Sequence, residues 1–335
     1  MSTRSSTADS STAVPSTAVR TVLVTGATGT VGRALVASLL AAGASVRAVT
    51  RDPLTAGLPG RAQVVGGDPN APETLAGALD GVSAVFVNPA AAGDLTGRLL
   101  GLARERGVGR AVLLSSAAVR DEAAQDADPL VFWHRLLEET VTASGLDWTV
   151  LRCSEFAANT LTGWGPGIRA AGVVREAHAM AASAPVHERD VADVAARVLL
   201  SGGHAGATLT VTGPESLTRR RMARIVAQAI GRPVRFERLP RERAVRHLMA
   251  TRGLSEGIAE SVVRLQEEAA GRPAFVTSEV ERVTGRPALT FARWAAEHVA
   301  DFARVPAPAP VPVAAPGSGS GSLSVSDRPA ARSGR

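Results

Sequence analysis

The sequence predicts an α/β protein built on a doubly wound parallel sheet, with a smaller C-terminal substrate lobe. Two observations support this prediction. Short apolar strands alternate with helix-length segments from Thr21 to Arg152, which is typical of a parallel sheet covered by helices on both faces. After Phe156 the alternation loosens. We therefore assign residues 20–155 to the sheet domain and 156–304 to the lobe, and we expect 186–200 to return to the sheet domain.

The elements follow in order along the chain. In the sheet domain we expect strands at 21–25, 45–50, 62–65, 83–87, 110–114 and 148–152. The helices there are expected after the first strand and at 73–79, 95–106 and 130–143. In the lobe, a loop and helix are expected at 156–169 and a strand at 207–212, with further helices at 191–200, 218–230, 256–269, 279–284 and 290–302. Asp190 and Thr218 stand at the cap positions of two of these helices.

Both ends of the chain are predicted to be disordered. Residues 1–19 are rich in Ser and Thr and lack the apolar core of a secretion signal, and 305–335 are rich in Pro, Ala, Gly and Ser. No apolar run is long enough to span a membrane. Cys153 is the single cysteine, which excludes an internal disulfide and a cysteine-based zinc cluster. The cytoplasm is the expected location, and no membrane partner is expected.

Two residue types are missing. The chain has no tyrosine, and reading the sequence shows that all 37 basic residues are arginine. These absences exclude a lysine Schiff base, a P-loop lysine and any mechanism that needs a phenol as proton donor.

The net charge of +6 is concentrated in one segment. Residues 219–246 contain ten arginines and two glutamates, a local net charge of 10 − 2 = +8. Such a segment fits either a nucleic-acid surface or helices with a solvated arginine face. Phe236 is the only aromatic residue there, which gives base stacking little support. We favour the solvated face.

A glycine turn follows the first strand. Gly26, Gly29 and Gly32 lie between a buried strand and a helix, with a second strand at the distance that a dinucleotide-binding unit requires. Gly26 permits a tight turn, Gly29 lets a diphosphate approach, and Gly32 brings the helix close to the strand. The alternative is a turn that merely joins strand and helix. The turn predicts a dinucleotide cradle completed by Thr28, Thr30 and Val31, with helix N–H groups facing the anion.

The end of the second strand distinguishes NADP from NAD. Arginine there binds the 2′-phosphate of NADP, whereas a carboxylate accepts the 2′-hydroxyl of NAD. Arg51 stands at this position and Asp52 follows it. We predict NADP(H), with Arg51 as phosphate ligand and Arg33 as a second one. The alternative, in which Arg51 is solvated and Asp52 meets the ribose, predicts NAD(H).

Further candidate cofactor residues end the later strands, because ligands bind outside the carboxyl ends of such strands. Asp68 is expected beside the adenine, although it can instead cap the turn at Pro69. The others, near the diphosphate and nicotinamide, are Asn88, Pro89 and Ser115, with Ser116 and Cys153 beside them.

The glycine spacing G-x-x-G-x-x-G and the wording TGATGTVG resemble the short-chain dehydrogenase/reductase superfamily, whose sheet is of the Rossmann type. That superfamily uses a Tyr-x-x-x-Lys pair on a helix, followed by a Glu, a Ser-Gly and a strand with T-x-L-R. The chain has Glu138, Ser144-Gly145 and 149–152 in that arrangement. The resemblance places His134 at the lysine position and Leu130 at the tyrosine position, so the usual proton-donating pair is absent.

The wording from His134 to Leu161, with VHERDVADVAA, LTVTGP and VTGRP later on, is similar to the NmrA-like group of atypical short-chain reductases over about residues 20–304. The resemblance implies an NADPH-dependent reductase of a small quinone or activated carbonyl. The alternative is a non-catalytic NADP(H)-sensing regulator with a protein or nucleic-acid partner. His134 is then expected to hydrogen-bond the ribose when neutral or to supply a proton when charged.

The expected substrate residues after the sheet domain are Phe156, Asn159, Leu161 and Trp164. His187 and Glu188 suggest a metal site only weakly, because Asp190 is better explained as a helix cap, and no metal is expected. The sequence does not predict an oligomeric state.

Overall fold

The computed structural model describes residues 20–120 and 128–303. The two predicted disordered ends lie outside the described residues. The central strands are β1 (Thr21–Val24), β2 (Ser45–Thr50), β3 (Gln63–Gly66), β4 (Ala84–Val87), β5 (Arg110–Ser116), β6 (Asp147–Cys153) and β9 (Ala207–Val211). The short outer strands are β7 (Val173–Glu176), β8 (Ala182–Ser183), β10 (Leu217–Thr218) and β11 (Arg235–Arg238).

The helices fall into two groups. Those following the first five central strands are α1 (Thr30–Ala41), α2 (Pro89–Ala92), α3 (Thr96–Glu105) and α4 (Pro129–Thr142). The later helices are α5 (Asn159–Ala171), α6 (Glu188–Leu200), α7 (Arg219–Ala229), α8 (Arg241–Arg252), α9 (Glu256–Ala269), α10 (Glu279–Thr284) and α11 (Phe291–Glu297).

The seven central strands form one parallel sheet in the order β3-β2-β1-β4-β5-β6-β9. The chain runs outward from β1 to β3 and then crosses back to β4, on the other side of β1. A crevice opens at such a reversal, outside the carboxyl ends of the strands. The predicted Rossmann-type α/β fold is confirmed.

The sheet is buried on both faces, which explains its unbroken apolar strands. Val22 and Val24 pack with α1, α6 and α10, whereas Leu23 points to the opposite face and packs with residues of α3 and α4. Helix α6 therefore lies on the sheet although it follows α5 in the chain. Burial of these side chains supplies the main driving force for this packing.

A second core lies under α5, α7 and α11, which together with α8, α9 and the two small sheets we call the lobe. Its largest buried side chains are Trp164, Phe291, Trp294 and Phe302. In the small sheets, β7 pairs with β11 and β8 with β10. The predicted elements did not include these four strands or α8.

The predicted cap at Asp190 is wrong. Helix α6 begins at Glu188, and His187 is its N-cap, with Nδ1 accepting a hydrogen bond from the Arg189 N–H at 3.2 Å. Asp190 is completely buried. It accepts hydrogen bonds from the Leu289 N–H and from Arg286 Nη1, both at 2.7 Å, and so holds the 286–289 segment against α6.

Other element predictions differ from the structure only in detail. The helix expected at 73–79 is two 3₁₀ turns, Pro72–Leu75 and Gly77–Leu79. Thr218 is confirmed as the cap of α7, where its hydroxyl accepts from the Arg221 N–H. Within residues 20–120 and 128–303, no helix combines the length and apolar character that crossing a membrane requires.

Candidate active site

The glycine turn between β1 and α1 has no room for larger side chains. Gly26 has a φ of 63°, and a Cβ there would lie 2.5 Å from Asn88 Nδ2. A Cβ on Gly32 would lie 2.1 Å from the Gly26 carbonyl oxygen. The turn therefore requires glycine at 26 for conformation and space, and at 32 because the start of α1 is pressed against it.

The N-terminus of α1 faces an open cleft of about 560 Å³ at the sheet reversal. Gly29 is the N-cap, and neither a side-chain cap nor an acidic residue occupies the first turn. The first N–H groups of a helix lack partners within it and attract anions. The cradle thus fits a dinucleotide diphosphate.

The predicted residues take different places in this cradle. Gly26, Thr28 and Gly29 line the cleft. Thr30 is exposed at the helix start. Val31 is only 4 % exposed and its side chain packs in the core, so it can offer only its backbone N–H.

At the end of β2, Arg51 and Asp52 both line the cleft. The Asp52 carboxylate accepts hydrogen bonds from the Leu54 N–H at 3.2 Å and the Thr55 hydroxyl at 2.6 Å. The Thr55 hydrogen bond holds the pKa of Asp52 below its usual value. Arg51 is exposed and has no hydrogen bond or ion pair with any described residue. The Asp52 carboxylate therefore stabilises the loop after β2, whereas the Arg51 guanidinium group is available to a ligand.

Arg33 also lines this cleft. Its Nε donates to the Thr28 carbonyl and its Nη1 to the Gly57 carbonyl, both at 2.9 Å. Its side chain thus ties the glycine turn to the loop after β2, and part of its donor capacity is already used.

Asp68 and Asn88 line the same cleft and also order their own turns. Asp68 Oδ1 accepts from the Asn70 N–H at 3.0 Å, which is the turn role considered as the alternative. Asn88 Oδ1 caps α2 by accepting from the Ala90 N–H at 3.1 Å. The Asn88 N–H donates to Thr25 Oγ1 at 2.8 Å. Asn88 therefore joins the ends of β1 and β4 beside the turn.

A second cavity of about 490 Å³ adjoins the cleft, because Asn88 and Ala90 line both. Its walls are mainly apolar. Ile258, Val262 and Leu265 of α9 form one wall. The predicted residues that reach this cavity are Pro89, Ser115, Ser116, Leu130, His134, Cys153, Phe156 and Asn159.

His134 projects from α4 into this cavity beside Trp133, with ring centroids 4.9 Å apart. Its Nδ1 atom is buried and has no hydrogen-bond partner among the described residues. Burial lowers the pKa of His134 to about 4, although the Glu138 carboxylate opposes this shift. The imidazole is therefore neutral near pH 7.

Ser115 is held by the acid that follows His134 on α4. Its hydroxyl donates to Glu138 Oε1 at 2.5 Å. Arg152 of β6 donates hydrogen bonds to the same carboxylate, from Nη2 to Oε2 at 2.8 Å and from Nε to Oε1 at 3.1 Å. This network fixes α4, and with it His134, against the carboxyl ends of β5 and β6.

Trp164, predicted to contact the substrate, does not line this cavity. It is 2 % exposed, it packs in the lobe core, and its Nε1 donates to Glu176 Oε1 at 2.7 Å. Leu161 likewise packs against that core. Cys153 lines the cavity but is 4 % exposed, and burial raises the pKa of its thiol. Cys153 therefore acts as a small packing residue rather than as a nucleophile.

His187 has a structural role at the start of α6. His187 Nε2 lies 3.3 Å from Glu297 Oε2, and its Nδ1 is used by the helix cap. Among residues 20–120 and 128–303, no three His, Cys, Asp or Glu side chains are grouped to hold a metal.

The sequence-based prediction missed several polar residues of the cavity, among them Glu155, Arg219, Arg252 and Gln266. The expectation of a solvated arginine face is wrong for Arg219, which is 6 % exposed and forms an ion pair with Glu155. No local pattern marks Arg219, because its partner lies 64 residues earlier in the chain. Arg232 is also engaged and donates to the Ile168 and Phe302 carbonyls at 3.0 Å.

Known sequences are similar to this chain over most of its length. The profile of a family described as NAD(P)H-binding matches residues 26–201. The (4-alkanoyl-5-oxo-2,5-dihydrofuran-3-yl)methyl phosphate reductase of Streptomyces griseus is 40% identical over 287 residues, which are 84% of this chain and 99% of the relative. The NAD(P)H azoreductase of Xenophilus azovorans is 32% identical over 290 residues, 84% of this chain and 99% of the relative.

Solved structures share the fold. An NADPH-dependent quinone oxidoreductase from Escherichia coli superposes with a TM-score of 0.68 at 24% identity, covering 82% of this chain and 98% of that one. The triphenylmethane reductase of Citrobacter sp., solved with NADP(H), gives a TM-score of 0.67 at 22% identity, covering 83% and 99%. The chain therefore belongs to the NAD(P)H-binding, NmrA-like group of atypical short-chain dehydrogenases/reductases.

Proposed function

We propose that this protein is an NADPH-dependent reductase of small conjugated acceptors, such as a quinone or an activated carbonyl compound. One observation supports this proposal above the others. The cleft that fits the dinucleotide opens, at Asn88 and Ala90, directly into a mainly apolar cavity large enough for a small acceptor.

The preference for NADPH over NADH is proposed from the end of β2. Arg51 offers a guanidinium group with no partner among the described residues, whereas Asp52 is held by Thr55 and Leu54. A guanidinium binds phosphate with two parallel hydrogen bonds, so this arrangement favours the 2′-phosphate.

The acceptor class is proposed from the cavity and from the names of the relatives. One relative is named for the methyl phosphate ester of a dihydrofuranone that carries an acyl group, another for azo compounds, and a structural neighbour for quinones. All three are conjugated acceptors. NADPH, when bound, supplies a hydride, and with one proton from water this turns a quinone into a hydroquinone in a balanced two-electron step. A conjugated acceptor spreads the incoming charge and so needs less help from a positioned acid than a simple ketone does.

His134 then acts as a positioning residue. A neutral imidazole has one N–H donor and one acceptor nitrogen, and its buried Nδ1 lacks a protein partner among the described residues. We propose that His134 hydrogen-bonds the nicotinamide ribose, in the place where the superfamily has lysine. Its pKa of about 4 disfavours a role as general acid near pH 7.

The test is an NADPH-oxidation screen with the full chain against quinones, azo dyes and acyl-substituted unsaturated lactones, together with direct titration of NADPH. Turnover with at least one class is expected. NADPH binding at micromolar levels without turnover of any acceptor would instead favour the NADP(H)-sensing alternative. Failure to bind either cofactor would contradict both.

A further inference from the structure

The substrate cavity has a second polar region, supplied by the lobe. Arg219 at the start of α7 and Arg252 at the end of α8 both line the cavity, and Gln266 of α9 lies in the same wall. These residues enter from the lobe, whereas His134 and Asn88 enter from the sheet. The cavity thus has polar groups beyond those expected to serve the cofactor.

The charges in this region do not cancel at the cavity wall. Among the described residues, Glu155 is the only carboxylate that lines the cavity, and it is paired with Arg219. Burial opposes ionisation of Glu155, but the attraction of Arg219 and Arg252, together with hydrogen bonds from Arg219 and Ser183, holds the pKa of Glu155 below its usual value. Arg252 also attracts Glu155, yet it makes no hydrogen bond or close ion pair within the described part of the chain. The Arg252 guanidinium group therefore has no carboxylate partner among the described residues that line the cavity.

A second carboxylate nearby does not neutralise Arg252. Glu176 interacts electrostatically with Arg219 but does not line the cavity. Its two oxygens accept hydrogen bonds from Trp164 Nε1 at 2.7 Å and Gln266 Nε2 at 2.9 Å. Glu176 therefore lies behind the cavity wall and links Trp164 to Gln266.

Two buried polar atoms in this wall lack partners among the described residues. They are Nε of Arg219 and Oε1 of Gln266, in residues that are 6 % and 5 % exposed. Burying a polar group without a hydrogen bond is costly, so such atoms indicate a ligand that satisfies them. A group with several oxygen acceptors and negative charge suits the arginine Nε and the free Arg252 guanidinium.

We infer that this region, which we call the arginine subsite (Arg219, Arg252 and Gln266), binds a phosphate ester carried by the reduced substrate. This inference rests on the proposed function and extends it to a substrate class. Arg252 supplies the main charge, since it has no competing partner in the described structure. Arg219, held by Glu155, supplies its Nε. The apolar wall of Ile258, Val262 and Leu265 then covers the uncharged part of the substrate.

The first experiment does not depend on turnover. Phenyl phosphate is titrated calorimetrically into the full chain saturated with NADP⁺, with benzyl alcohol and benzoate as uncharged and carboxylate comparisons. Arg252→Gln is expected to weaken phenyl phosphate binding about tenfold or more. Arg243→Gln, an exposed arginine of the same helix outside the cavity, is the matched control and should bind as wild type does. Absence of phenyl phosphate binding, or equal binding by wild type and Arg252→Gln, overturns the subsite. Tighter binding of benzoate overturns the phosphate assignment.

The second experiment measures selectivity during reduction. A hydroxymethyl-substituted quinone and its phosphate ester differ only in the charged group. The wild type is expected to show a lower KM for the ester, and Arg252→Gln to lose that difference, whereas Arg252→Lys retains part of it because it keeps the charge. Melting temperatures of the variants establish that they fold.

The two experiments separate the proposals. If neither quinone is reduced but phenyl phosphate binds in an Arg252-dependent manner, the subsite stands and the reductase proposal fails. If the wild type reduces the uncharged quinone but shows no lower KM for the phosphate ester, the reductase proposal stands and the subsite fails.

Discussion

Replacement of Arg51 by alanine tests how the protein chooses its cofactor. Arg51 lines the cleft and is exposed, while its neighbour Asp52 is tied to Thr55. We expect Arg51→Ala to weaken binding of NADPH and to leave NADH binding unchanged. The reason is that only NADPH carries the 2′-phosphate that the guanidinium group would contact.

The size of this effect follows from the exposure of Arg51. A hydrogen bond to a charged group contributes about 1.5–3 kcal/mol, which corresponds to about 10- to 150-fold in Kd. Because Arg51 lies at the surface, where water and salt screen charges, we take the lower end, about 10- to 30-fold. The difference between NADPH and NADH should narrow as salt is raised.

The assay is titration of NADPH and NADH, followed by cofactor fluorescence, for wild type, Arg51→Ala and Arg61→Ala. Arg61 is the matched control, because it lies exposed in the same loop but does not line the cleft. Equal losses for both cofactors would mean that Arg51 supports the loop rather than the phosphate. Unchanged NADPH affinity in Arg51→Ala would refute the reasoning.

Three further variants test other parts of the structure. Gly32→Ala should destabilise the fold by about 1–3 kcal/mol and weaken both cofactors, because its Cβ would meet the Gly26 carbonyl; chemical unfolding and titration measure the two effects. His134→Ala should raise the Kd of NADPH about three- to tenfold through one lost hydrogen bond. Since the pKa of His134 is about 4, the imidazole stays uncharged from pH 6 to 8, so kcat of the wild type should show no His134 inflection there. Asp190→Ala should cost about 1.5–3 kcal/mol of unfolding free energy, since it leaves the Leu289 N–H without its acceptor and leaves Arg286 with Asp193 as its remaining carboxylate.

Two controls accompany these variants. Gly101→Ala adds a methyl group to α3 where no atom lies within 4 Å, so it should not destabilise the fold. Arg282→Gln removes an exposed pair with Glu279 and should cost less than about 1 kcal/mol. A loss for Gly101→Ala equal to that for Gly32→Ala would contradict the packing argument. An inflection of kcat near pH 6.5 that disappears in His134→Ala would contradict a neutral imidazole.

Features of the fold that depend on residues close together in the chain were predicted correctly from the sequence. The strand, glycine turn and helix from Thr21 to Ala41 depend on local backbone geometry and apolar burial, and the structure has them at the expected places. Thr218 was recognisable as a cap because its hydroxyl serves an N–H three residues later. The candidate cofactor residues follow from the same logic, because parallel strands end at one edge.

Features that depend on distant partners were not predictable in this way. Helix α8 escaped notice because only Ala244, Val245 and Leu248 are buried, too few apolar positions among its arginines to show a helical period. Trp164 was predicted to contact the substrate because nothing in the sequence indicated its partner, Glu176. Glu176 lies on strand β7, which was not predicted. Arg219 looked solvated for the same reason.

The ion pairs between Arg286 and two aspartates of α6 affect the order in which the chain can fold. Arg286 binds Asp190 and Asp193, and the first pair spans 96 positions of sequence. During synthesis, α6 would emerge well before its cation. Asp190 must then either remain in water or be buried without a counter-charge, which is unfavourable. Helix α6 is therefore expected to dock finally on the sheet only after residues 286–289 have left the ribosome, so that completion of the cofactor-binding half waits for nearly the last segment of the fold.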